Sequence, residues 1–99
     1  MKESKVKKRL RENLVSIDGM CENFASPSRR HVPDCLVTWP WGDMDLVETK
    51  APGKKPRKAQ AEDHRLRAII GRHVFVLNTI EKVDAWFRNK VRARGWDLR

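Results

Sequence analysis

Residues 32–60 read VPDCLVTWPWGDMDLVETKAPGKKPRKAQ, and the fold turns on how this stretch pairs with itself. Two β-rich runs, Asp34 to Trp39 and Met44 to Lys50, flank Pro40-Trp41-Gly42. That tripeptide suits a three-residue hairpin loop, because proline presets the first turn residue and glycine accepts a left-handed third one. Side chains alternate along a strand, so Met44, Leu46, Glu48 and Lys50 share one face while Asp45, Val47 and Thr49 share the other. Pairing Trp39 with Asp43 then sets Asp34 opposite Glu48. Register decides this outcome, since a shift of one residue would turn a strand's whole set of side chains over.

Two carboxylates facing each other across a strand pair repel, at a cost of about 1 kcal/mol in water and more where the dielectric falls. A hairpin built for stability alone would avoid the arrangement. A divalent cation between the two removes the objection, because Mg²⁺ and Mn²⁺ prefer hard oxygen ligands. Lys50 beside the pair could then position a water or stabilise charge building on a phosphate. The alternative is a surface hairpin that carries Glu48 and Lys50 on its solvated face.

Outward from the hairpin, "APGKKPRK" is a basic loop leading into a helix expected from about Pro56 to Ile70, with Gly71 as its stop. "HVFVL" reads as a buried strand. Asn78 and Glu81 have capping-box spacing, and Ile80, Val83, Phe87 and Val91 form the stripe of a last helix ending near Gly95. Before the hairpin, Val6, Leu10, Leu14, Ile17, Cys21 and Phe24 recur at steps of three and four, one helical stripe that Gly19 ends or frays. "ASPSRR" reads as a loop. The expected order is α-β-β-(β)-α-β-α, with room for one further short strand before Asp34, giving an α/β fold.

The 99 residues make one small domain with a modest core that a second subunit could extend. Lysine and arginine number 22 against 13 acidic residues, a formal charge of +9. That excess favours a polyanionic partner, nucleic acid before an anionic membrane, over a merely solvated surface. Cys21 and Cys35 lack the spacing of a zinc knuckle or a disulfide framework and read as reduced thiols of a cytosolic protein. The charged start lacks a signal peptide's apolar run, and no stretch reaches the length of a membrane span.

Lys54, Lys55, Arg57 and Lys58 form a loop restrained by Pro52, Gly53 and Pro56, suited to phosphates without base reading, or else a solvated charge run. Gln60, His64 and Arg67 lie on one helical face. His64 reads either as a hydrogen-bonded helix residue or as a DNA contact, and without a second histidine or cysteine nearby it is a poor metal ligand. Trp39, Trp86, Phe87 and Trp96 are expected in the core. Trp41, at the hairpin tip, is expected to stack on DNA or to dock against a second subunit. The basic terminus "KVRARGWDLR" would extend a DNA surface.

Pro33-Asp34 followed by Glu48-Thr49-Lys50 resembles the PD-(D/E)xK nuclease signature. The longer stretches "FASPSRRHVPD" and "VETKAPGKKPRKAQ", with His64 and Leu66, resemble the virus-type replication-repair nuclease (VRR-Nuc) family in its short stand-alone phage form, from Glu3 to about residue 80. The resemblance implies a small mixed sheet flanked by helices. It assigns Asp34 and Glu48 as ligands of Mg²⁺ or Mn²⁺, with the Thr49 carbonyl joining them and Lys50 as the catalytic lysine. Gln60 matches the family's glutamine, and Glu3 takes the place of an acidic residue near the start of the first helix, with Glu12 a weaker candidate. His31, Cys35 and Asn23 stand where the family commonly has glycine, arginine and lysine. Arg29 and Arg30 partly replace the lost charge and join the lysine loop and His64 as DNA contacts. The implied activity is a homodimeric, structure-selective DNA endonuclease acting on branched DNA such as four-way junctions, in the host-cell cytoplasm if phage-encoded. The alternatives are a less selective flap or DNA-end nuclease and a catalytically inactive DNA-binding module.

Overall fold

A computed structural model describes residues 4–96. The elements run α1 (Lys5–Val15), β1 (Met20–Asn23), β2 (Cys35–Thr38), β3 (Met44–Thr49), α2 (Lys58–Ile69), β4 (Val74–Leu77) and α3 (Ile80–Arg94). One sheet has the order β1-β2-β3-β4, with the first three strands antiparallel and β4 parallel to β3. The parallel step requires a crossover, and α2 supplies it. This is the expected order with the optional strand present.

The hairpin register follows from its turn. The Trp39 N–H donates to the Asp43 carbonyl at 2.8 Å, the Gly42 N–H donates to the Trp39 carbonyl at 2.9 Å, and Gly42 has φ +98°. Pairing then continues through Thr38 with Met44 to Cys35 with Val47. Asp34 therefore stands opposite Glu48.

Alternation divides the sheet into two unlike faces. Cys35, Val37, Trp39 and Val47 point inward onto α1 (Val6, Leu10, Leu14) and α3 (Val83, Phe87, Val91), forming one core. Full burial of each large aliphatic side chain contributes about 1.5–3 kcal/mol. Across the helix pair, the Asp84 carboxylate accepts from Arg9 at 2.9 Å through each oxygen and from Asn13 at 2.9 Å. The outer face carries Leu36, Leu46 and Glu48, and α2 covers part of it.

The first helix is shorter than its stripe. Ser4 caps it by accepting the Lys7 N–H at 3.1 Å, and the chain turns away after Val15 through Asp18 at φ +65°. A Cβ on Gly19 would lie 2.9 Å from Leu14 Cδ1 and 3.0 Å from the Thr38 carbonyl, so glycine permits this close return. Cys21 consequently lies on β1 and Phe24 beyond it. Two boundaries also shift: α2 starts at Lys58 rather than Pro56, and Thr79 caps α3, accepting the Lys82 N–H at 3.0 Å. Asn78 instead donates to the Lys54 carbonyl at 2.9 Å, fastening the basic loop.

Trp41 departs from its expected role. Its ring stacks on that of Trp39 with centroids 5.0 Å apart and planes 10° apart, and Trp96 leans on it at 5.5 Å. Trp39 continues the ladder inward to Trp86 and Phe87. An indole at a hairpin tip reaches the core because the three-residue loop folds its second residue back over the strand. Trp96 closes the ladder from outside and stays 42% exposed, so it is not a core residue.

Candidate active site

β2 and β3 bring Asp34 and Glu48 together at the end of the sheet away from the hairpin loop. Asp34 Oδ1 accepts the Thr49 N–H at 2.8 Å, and its Oδ2 accepts the Thr49 hydroxyl at 2.7 Å. Glu48 Oε1 accepts the Asp34 N–H at 3.2 Å, so each carboxylate is held by the facing strand segment, that of Glu48 by the Asp34 backbone and that of Asp34 by Thr49. A strand residue's N–H and C=O point to the same side, so the Thr49 carbonyl lies on Asp34's side of β3. The next residue points the other way, and the Lys50 N–H donates to the Leu77 carbonyl at 3.1 Å.

Glu48 is only 2% exposed. Burial pushes its carboxyl above the ordinary range, and the charge of Asp34 adds to this, while Lys50 partly offsets both. Lys50 Nζ lies 3.0 Å from Glu48 Oε2 and donates to Gln60 Oε1 at 2.8 Å. Gln60 returns its amide to Glu48 Oε2 at 3.3 Å, and its oxygen also accepts the Arg57 N–H at 3.0 Å. Glu48, Lys50 and Gln60 thus form a closed triangle beside the carboxylate pair, with Asp34 at its wetter side.

A search of known proteins gives the geometry its context. No protein-family model matches the chain. The chain is 39% identical over 79 residues to "Putative nuclease p44" of Acyrthosiphon pisum secondary endosymbiont phage 1, covering 80% of this chain and 85% of that protein. A solved VRR_NUC domain superposes with a TM-score of 0.78 at 28% identity, covering 85% of this chain and 91% of that one. The chain belongs to the VRR-Nuc nuclease family.

In this VRR-Nuc nuclease the oxygens at the site suit a hard divalent cation. Asp34 and Glu48 are like-charged groups held face to face, and a backbone carbonyl lies alongside. Among the described residues no three His, Cys, Asp or Glu side chains converge as a metal cluster, so the described acidic set is this pair. Glu12 is exposed on α1, and Glu3 lies outside the described residues.

The expected cations take several positions. Lys54, Lys55 and Arg57 are exposed on the loop leading from β3 to α2, Lys58 is exposed at the start of α2, and Arg30 is exposed before β2. Arg29 instead donates to Asp63 at 2.8 Å, although half of its side chain remains accessible. His64 is half-buried with Nε2 enclosed and without a hydrogen-bond partner, and burial lowers its imidazole's affinity for protons.

Two site residues escaped the sequence reading. Lys7 Nζ stands 3.7 Å from Asp34 Oδ2, so α1 contributes a cation to the pair. Its only sequence signal was its position beside Val6 on the buried stripe. Asp63, 3% exposed, accepts from Arg29 and, at 2.8 Å, from Arg67. Its i,i+4 spacing to Arg67, on the face that holds Gln60, could have drawn attention.

Proposed function

We propose that this nuclease is a metal-dependent, structure-selective DNA endonuclease that acts as a homodimer on branched DNA such as four-way junctions. The observation that carries the metal reading is the buried Glu48 held directly opposite Asp34. Asp34, Glu48 and the Thr49 carbonyl would hold Mg²⁺ or Mn²⁺. A cation there would supply Lewis-acid polarisation of the phosphate and lower the pKa of a bound water.

The remaining chemistry falls to the chain's own side chains. Lys50 would donate through Nζ toward charge developing on the phosphate, beside the buried Glu48. Gln60 holds Lys50 and Glu48 in register and would help orient the attacking water. Arg29, Arg30, Lys54, Lys55, Arg57, Lys58 and the neighbouring His64 would line the DNA path, and the cations predict salt-dependent binding governed by backbone shape.

Support for a homodimer comes from the outer sheet face. Met20 and Met44 flank Thr38 in one row and are 54% and 46% exposed, and the end of α2 exposes Leu66, Ile69 and Ile70. Self-association of this face would bury apolar area and join two active sites, as paired cuts in a junction require. The phage relative favours a host-cell cytoplasmic setting.

The test is cleavage of a labelled four-way junction beside a linear duplex and a flap, by wild type and Lys50→Ala, with Mg²⁺, Mn²⁺ or EDTA. Paired symmetric cuts that need metal and disappear in Lys50→Ala are expected. Cutting of flap or duplex alone would replace the junction reading with a less selective nuclease. DNA binding without cleavage would leave only a binding module.

A further inference from the structure

α2 carries Gln60 to the active site, yet it has almost no apolar hold on the rest of the molecule. Its one buried residue is Asp63, whereas Leu66, Ile69 and Ile70 are 41%, 66% and 83% exposed. The seat of the helix is therefore electrostatic. Asp63 Oδ2 meets Arg67 Nε of the same helix, and Oδ1 meets Arg29 of the segment that leads into Asp34, each at 2.8 Å.

A buried carboxylate is tolerated only with its partners in place, so the helix position that satisfies both guanidiniums is strongly selected. Burial alone would raise the Asp63 carboxyl, but the hydrogen bonds from Arg67 and Arg29 outweigh it and hold the group below the ordinary range. Gln60 lies three residues earlier on the same helical face. Its amide reaches Glu48 at 3.3 Å, a contact that a small slide of α2 would break.

We infer that Asp63 is a positioning residue for the active site: by clamping α2 to the segment before Asp34, it sets where Gln60 holds Glu48 and Lys50. The inference rests on the reading that these three residues form the catalytic centre. It also separates two effects of one carboxylate. Asp63 orders the site, but it also offsets part of the charge that the half-exposed Arg29 offers to DNA, so removing its charge should impair turnover without weakening DNA binding.

The experiment compares wild type, Asp63→Asn, Gln60→Ala and the double variant. For each, kcat, Mn²⁺ affinity by titration of the metal alone, and DNA affinity in EDTA are measured. Asp63→Asn is expected to lose about 10-fold or more in kcat or Mn²⁺ affinity, as residues that orient metal ligands do. DNA affinity in EDTA should hold or tighten, and in the Gln60→Ala background the substitution should change kcat less than about twofold, because coupled residues are not additive.

Parallel loss of DNA affinity and kcat, or an equal further loss in the Gln60→Ala background, would show a general structural role and overturn the inference. So would a kcat and Mn²⁺ affinity unchanged in Asp63→Asn. If Asp63→Asn does not fold, Arg67→Lys, which keeps the charge but loses the Nε donor, must show the same split at smaller amplitude or the inference fails. A wild type that neither binds Mn²⁺ nor cuts DNA would overturn the metal reading, and this inference with it.

Discussion

Replacing Trp41 with alanine distinguishes a structural indole from a DNA-stacking one. The ring lies on Trp39 at 5.0 Å and 10°, and against Trp96 at 5.5 Å. Aromatic pairs of this kind contribute about 0.5–1.5 kcal/mol each beyond area burial, so two of them contribute about 1–3 kcal/mol. The Trp41 Nε1 bond to Asp43 is exposed and adds little. Uncovering Trp39, now 2% exposed, adds a hydrophobic cost in the same direction. A loss near 2 kcal/mol corresponds to a melting decrease of about 8–16 °C in a domain of this size. The assay is a circular-dichroism melt of wild type and Trp41→Ala, with DNA affinity and cleavage measured well below both transitions. Cleavage and affinity should stay within about twofold, on the reasoning that a residue remote from the chemistry acts through stability alone. A melting decrease under about 3 °C together with a tenfold loss of DNA affinity would refute the packing account and return Trp41 to the DNA surface.

Other consequences concern charge. Glu48→Gln should abolish cleavage yet raise the melting temperature of the metal-free protein, because burial and Asp34 both disfavour the charged form; an unchanged or lower melting temperature would contradict this. Since Glu48 takes up a proton more readily folded than unfolded, the metal-free fold should lose stability as pH rises through that raised range, and Mn²⁺ titrations should weaken as pH falls through it. Lys7→Met removes a cation 3.7 Å from Asp34 and should tighten Mn²⁺ binding, whereas weaker binding would show that Lys7 helps to order the carboxylate. Asp84 is held below its ordinary range chiefly by its hydrogen bond from Arg9. Its stabilisation should be complete above pH about 3.9 and disappear as pH falls through the lowered folded value, so Asp84→Asn should show a shallower acid-denaturation curve.

The legible parts of the fold are those where local chemistry admits one answer. Pro40-Trp41-Gly42 dictates the loop length, the loop dictates the register, and the register sets Asp34 against Glu48. β1 was obscured because Cys21 and Phe24 continue the three-and-four spacing of α1, and nothing in that spacing reports that Asp18 turns the chain back. The packing of Trp41 was not legible because a tip residue's solvent access depends on which rings meet it, here the neighbouring Trp39 and Trp96 just beyond α3. Lys7 and Asp63 depend on contacts between segments distant in sequence. Asp63 is the harder case, since a carboxylate in a charge-rich helix ordinarily marks the wet side, and the arrival of Arg29 on one oxygen beside Arg67 on the other makes its burial tolerable.

The hairpin loop lies some 17 Å from the carboxylates, counting five residues from Asp34 to Trp39 at strand rise. Surface loops of that kind usually absorb insertions and deletions freely. Here the tripeptide serves as a reading frame for the chemistry. One codon gained or lost between Trp39 and Asp43 would leave every candidate site residue in the gene but alter which side chains face each other at the far end of the strands. Lineages of this nuclease should therefore tolerate substitutions at the tip far better than changes in its length.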